Sequence, residues 1–200
     1  RSAAEPSHTK ATTLMSDTQE AQYKETIPLW LAVAITVVVS VPFSLWLGGW
    51  NFAGWCSFIV WAEYFALGAK PAALKTIIPA FAYSAVLTGL TLAVIPLLAF
   101  LPSLVTPGDL AVMVALFVGV AVMVYSMRWA TVFQDGSLPF FNGISMVLAI
   151  YFTGSYPQVV SGPLTPLWAA VWAILMAVFG GLLGVFNVWL TFPRKVESPQ

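Results

Sequence analysis

The chain has 200 residues, of which 60% are hydrophobic and 8% charged, with zero net charge and a mean hydropathy of +0.88. A soluble globular chain is about 45–50% apolar and about 25% charged, so eight Lys and Arg and eight Asp and Glu are too few to build a water-facing surface. Zero net charge offers no phosphate-neutralising patch, which argues against nucleic-acid binding, and the single cysteine, Cys56, excludes a disulfide scaffold. The composition leaves an all-α, polytopic membrane protein.

Residues 1–26 are polar, mixed in charge and without hydrophobic periodicity, which reads as a disordered cytoplasmic tail. Met15, followed by Ser-Asp-Thr-Gln-Glu, reads as an alternative start, and residues 1–14 are set aside as tag or upstream translation. A secretory signal peptide is not expected, because the first apolar run is long enough to span and lacks a basic region just before it. A hydrocarbon core of about 30 Å needs about 20 apolar residues per helix. On that ruler residues 27–192 form one domain of six spans, at 28–48, 52–68, 76–101, 109–128, 139–156 and 166–192. Turns are expected at Gly48-Gly49, Gly68-Ala69-Lys70-Pro71, Pro102 with Pro107-Gly108, Gln134-Asp135-Gly136, and from Pro157 to Pro163. Pro28, Pro139 and Pro166 fall at helix starts, where a missing N–H costs little. The apolar runs are continuous rather than alternating, which favours helices over a barrel. Residues 193–200 close the chain as a second cytoplasmic tail.

Between residues 26 and 192 the only charges are Glu63, Asp109, Asp135, Lys70, Lys75 and Arg128. With six spans and a cytoplasmic amino terminus, all eight basic residues fall on the inner side, including Arg1, Lys10, Lys24, Arg194 and Lys195. The positive-inside rule then places both termini in the cytoplasm.

The second and fifth spans share an order of residues. Phe52-x-Gly54, Ser57, Ala62-x-Tyr64-Phe65 and Gly68 match Phe141-x-Gly143, Ser145, Ala149-x-Tyr151-Phe152 and Gly154, at an offset of 89 residues at the first element and 87 at Tyr-Phe. A duplicated three-helix unit would produce this, and because three is odd the second copy would be inverted. Such 3+3 inverted repeats recur in transporters, with the binding site at the repeat interface; the second and fifth spans would then face each other and line the pathway. The same motifs, with Trp55 and Trp61 in the first half and Pro139 in the second, resemble a bacterial inner-membrane family, domain-of-unknown-function family 1097, over residues 28–190. The resemblance implies location and architecture and carries over no activity.

Glu63 is the one ionisable side chain well inside a span, where a central charge costs about 2.5–3.5 kcal/mol. It reads either as a carboxylate facing a cavity or as an interfacial acid paired with Lys70, Lys75 or Arg128. Tyr64, Phe65, Tyr151 and Phe152 could form an aromatic constriction or simply anchor helix ends at the interface. Ser57, Asn142 and Ser145 would line a polar path or bond between helices, and Trp61 joins them as a tryptophan inside a span. Trp30, Trp46, Trp50, Trp129, Trp168 and Trp189 read as an interfacial belt. Ala111, Ala115 and Gly119, and Gly180 with Gly184, place small side chains on one helix face, for close packing within the bundle or between copies in a homo-oligomer.

His8, the sole histidine, lies in the tail, so no metal site is expected. Cys56 has no partner base and no phosphate-binding loop is present, so neither an enzyme nor a cofactor is expected. The expected partners are the lipid bilayer and a small solute. The resulting expectation is a channel or secondary transporter for a small neutral or weakly polar solute in a bacterial inner membrane. The alternative is a non-transporting subunit or scaffold that binds a partner through its small-residue faces.

Overall fold

The computed structural model describes residues 25–192; the Met15 start and the basic residues of the two tails lie outside them. Each long apolar run folds as a helix, because in an apolar run only the backbone's own groups can satisfy its N–H and C=O. In chain order these are α1 (Leu29–Leu45), α2 (Gly54–Ala66), α3 (Leu74–Val94), α4 (Asp109–Ser126), the short α5 (Thr131–Asp135), α6 (Ser137–Thr153) and α7 (Thr165–Thr191), with no strand among the described residues.

Polar residues sit where they terminate or line these helices. Thr36 and Ser40 on α1 return their hydroxyls to Ala32 O and Val37 O. The Asp109 carboxylate accepts the N–H groups of Leu104, Val105, Thr106 and Leu110, an anion holding the start of α4. α2 and α6 end alike. Gly68 at φ +93° donates to Phe65 O while Ala69 donates to Tyr64 O; Gly154 at φ +64° donates to Tyr151 O while Ser155 donates to Ile150 O. Both are Schellman ends, in which the left-handed residue is usually glycine because a Cβ there is strained.

The directions of the helices follow from which residues meet. Thr36 meets Asn187 and Phe43 meets Phe179, so α1 and α7 are antiparallel. Gly89 lies against Ala170 and Gly181 against Leu74, which makes α7 antiparallel to α3. Thr88 meets Met123 and Thr91 meets Gly119, which does the same for α3 and α4. Gly136 and Gly143 lie against Ala80 and Ser84, so α6 runs with α3, and Gly180 and Gly184 lie against Ser57 and Tyr64, so α2 runs with α7. The six long helices therefore alternate in direction along the chain. Thr26 N–H donates to Thr191 O at 2.9 Å, so the described chain enters and leaves at one end of the bundle. Lys70 and Lys75 lie at that end and Arg128 toward it, stacked over the Tyr125 ring at 3.7 Å.

Three segments are long and apolar enough to cross a membrane: Pro71–Leu98, Asp109–Trp129 and Gly162–Thr191. The other helices are shorter than expected. The expected second span, 52–68, contains a helix of 13 residues, about 20 Å long against a core of about 30 Å. Its start is delayed because Phe52 N–H bonds back to Phe43 O and the Asn51 side chain accepts Leu47 N–H, which holds residues 51–53 out of the helix. The expected turn at Gln134-Asp135-Gly136 instead ends α5, and α6 begins at Ser137, with Pro139 inside its first turn, where N–H groups have no helical acceptor.

α3 and α7 form the centre. α6 packs on α3, α2 packs on α7, and α4 and α1 lie outside on α3 and α7 respectively. The expectation that the second and fifth spans face each other along a pathway is therefore corrected: α2 and α6 flank the α3–α7 crossing and touch only lightly. Both small-residue faces are used within the chain. Ala111 and Ala115 are buried and Gly119 lies against Thr91. A Cβ at Gly180 would run into the Ser57 carbonyl oxygen, and one at Gly184 would come within 2.7 Å of the Tyr64 ring. Trp30, Trp46, Trp50, Trp129 and Trp189 are exposed near helix ends, whereas Trp168 is half-buried and donates its Nε1–H to Pro157 O at 2.8 Å.

Candidate functional site

α2 buries its side chains on both flanks, against α7 and, near its end, against α6. Close approach to α7 is set by Gly180 and Gly184, which leave room for Ser57 and Tyr64. The buried face that results is polar: Ser57, Trp61, Glu63 and Tyr64 are each at most 6% exposed. Glu63 Oε1 accepts a hydrogen bond from Asn142 Nδ2 at 2.5 Å, tying the end of α2 to the start of α6 across 79 residues of sequence.

The second carboxyl oxygen of Glu63 has no partner, nor do Ser57 Oγ, Trp61 Nε1 and Tyr64 Oη. Leaving a buried donor or acceptor unmade costs about 1–3 kcal/mol, and more for a charged group. Native interiors hold few such atoms, and the 13-residue α2 carries four of them.

The interfacial pairing of Glu63 with a lysine or arginine is not what is seen: its side-chain hydrogen bond is to an uncharged amide, and Arg128 is engaged with Tyr125 instead. Ser145, expected beside Asn142, is exposed and bonds back to Phe141 O of its own helix. The two aromatic pairs are not brought together. Tyr64 is buried against Gly184. Tyr151 lies nine residues beyond Asn142, about 13 Å along α6, and stacks on Tyr156. Phe65 and Phe152 are exposed, so no single constriction forms.

A second buried polar contact was missed in the sequence. Asn187 Nδ2 on α7 donates to Thr36 Oγ1 on α1 at 3.2 Å, while Asn187 Oδ1 has no partner. The signal was a lone amide within an apolar run, the same kind that singled out Asn142.

Neither of two grooves on the described molecule lies between α2 and α6. One, of about 360 Å³, runs between α3 and α4 with apolar walls; the other, of about 480 Å³, lies at the end where the chain enters and leaves. Among the described residues no group of His, Cys, Asp and Glu is arranged to hold a metal. No family model, curated protein or solved structure matches the chain. Fold and composition define an all-helical protein with three helices fit to cross a membrane.

Proposed function

We propose that this chain is a multipass protein of a bacterial inner membrane, with six passes and both termini cytoplasmic, that moves a small neutral or weakly polar solute as a channel or secondary transporter. The observation that carries this reading is Glu63, buried between α2 and α6, with one oxygen on Asn142 and the other without a partner. Buried ionisable groups within apolar helices are costly, and their usual roles are in substrate and ion pathways.

An inverted 3+3 repeat is part of the proposal. Exchanging α1, α2 and α3 for α4, α6 and α7 turns the packing of α6 on α3 into that of α2 on α7, and of α4 on α3 into that of α1 on α7. Short or interrupted helices at matching places in two halves are a pointer to a transport site, and α2 and α6, of 13 and 17 residues, are such a pair. The motif order around Trp61 and Tyr151 supports membership of family 1097 within the same reading. A scaffold that binds through its small-residue faces has less support, because Gly119, Gly180 and Gly184 are covered within the chain.

Flux of a panel of small neutral and weakly polar solutes into liposomes containing the folded protein tests the proposal. Transport of at least one solute above empty vesicles, reduced by Glu63→Gln, is expected. Folded protein with no flux for any of them would overturn the reading.

A further inference from the structure

The groove at the entry end has apolar walls formed by Leu29 of α1, Phe65 of α2, and Val188 and Phe192 at the end of α7. Its remaining wall is the turn after α2, where Ala69 and Lys70 line it and Lys70 supplies the one charge among its lining residues. Ala69 is held at φ +54°, the one non-glycine residue with positive φ among those described. A residue with a Cβ avoids that conformation, so the turn's shape is imposed by its surroundings, including the Ala69 N–H bond to Tyr64 O at 2.8 Å.

A hydrophobic trough with a single ammonium beside it, at the end of a membrane helix bundle, matches an amphiphile: acyl chain along the apolar walls, anionic headgroup at Lys70. The charge around it selects the headgroup. Lys75 shares this end of the bundle but does not line the groove. The nearest acid in sequence to the α1 wall, Glu25, is engaged with the Leu29 N–H at 2.6 Å, and Glu63 is turned to Asn142 on another helix. A lysine beside a membrane surface attracts anionic lipid headgroups.

We propose that this groove binds an anionic phospholipid of the surrounding bilayer, its phosphate on Lys70 and one acyl chain between α1 and the end of α7. The proposal goes beyond transport and rests only on the chain being membrane-embedded, which co-flotation with vesicles checks separately. The test is native mass spectrometry of the full chain released from nanodiscs of phosphatidylcholine containing phosphatidylglycerol. The expected result is retention of phosphatidylglycerol over phosphatidylcholine, weakened about fivefold by Lys70→Gln, restored by Lys70→Arg and unchanged by Lys75→Gln. Equal retention of the two lipids, or an equal loss on Lys75→Gln, would overturn it.

Discussion

α2 and α6 bury side chains at the same spacing and fill those positions with different chemistry. Stepping 87 residues along the chain takes Cys56, Ser57, Val60, Trp61, Glu63 and Tyr64 to Gly143, Ile144, Val147, Leu148, Ile150 and Tyr151. The α6 set is buried or half-buried throughout, as α2's is buried. Where α2 has Ser57, Trp61 and Glu63, α6 has two isoleucines and a leucine. α6 thus acts as an internal control: a helix in a comparable setting packs well without any polar group at those places. The unpartnered atoms of α2 are therefore not needed to build the bundle, and they lower its stability.

The contrast breaks most severely at the closest contact. Gly180→Ala would drive a Cβ into the Ser57 backbone, which cannot yield as a flexible side chain would. A loss of about 3 kcal/mol is expected, against almost none for Gly49→Ala, where nothing lies within 4 Å; thermal unfolding in detergent compares the two. Next in size, Asn142→Ala leaves both carboxyl oxygens of Glu63 unpartnered and should cost about 1–3 kcal/mol, visible by the same measurement. Making α2 resemble α6 sharpens the comparison from the other side. Glu63→Ile together with Asn142→Leu should lower flux at least about tenfold while leaving stability equal or higher, since replacing both partners of a buried polar pair by apolar groups is often neutral or stabilising. Lost transport with lost stability would make Glu63 a structural residue. Smallest of all, Ser145→Ala should change stability and flux by less than about 0.5 kcal/mol, because that hydroxyl is exposed and bonded only to its own helix.

The parts of the fold legible in the sequence were those written in runs of residues. Six apolar stretches became six long helices because length and hydropathy act over many positions at once, and Gly68 and Gly154 marked helix ends through a local backbone requirement. The shortening of α2 was hidden, because it depends on Phe52 bonding back to Phe43 across the turn, a pairing that no local pattern marks. The site was half legible. Glu63 and Asn142 were each conspicuous as polar groups in apolar runs, yet nothing local joins residues 79 apart. Ser145 sits one turn from Asn142, and only the tertiary packing decides that one faces α2 and the other faces outward.

The hydrogen bond between Thr26 and Thr191 makes the described part of the chain nearly a closed ring. Adjacent ends are the condition under which a chain tolerates permutation. Joining them with a short linker and reopening the loop between α3 and α4 would preserve every helix pair while exchanging the order of synthesis of the two halves. Because three helices separate the old opening from the new, both ends of the permuted chain would emerge on the face that carries Asp109, away from Lys70 and Lys75. Such a permutant would separate two requirements that coincide in the natural order: the basic residues that orient insertion, and the direction in which the first helix enters the membrane.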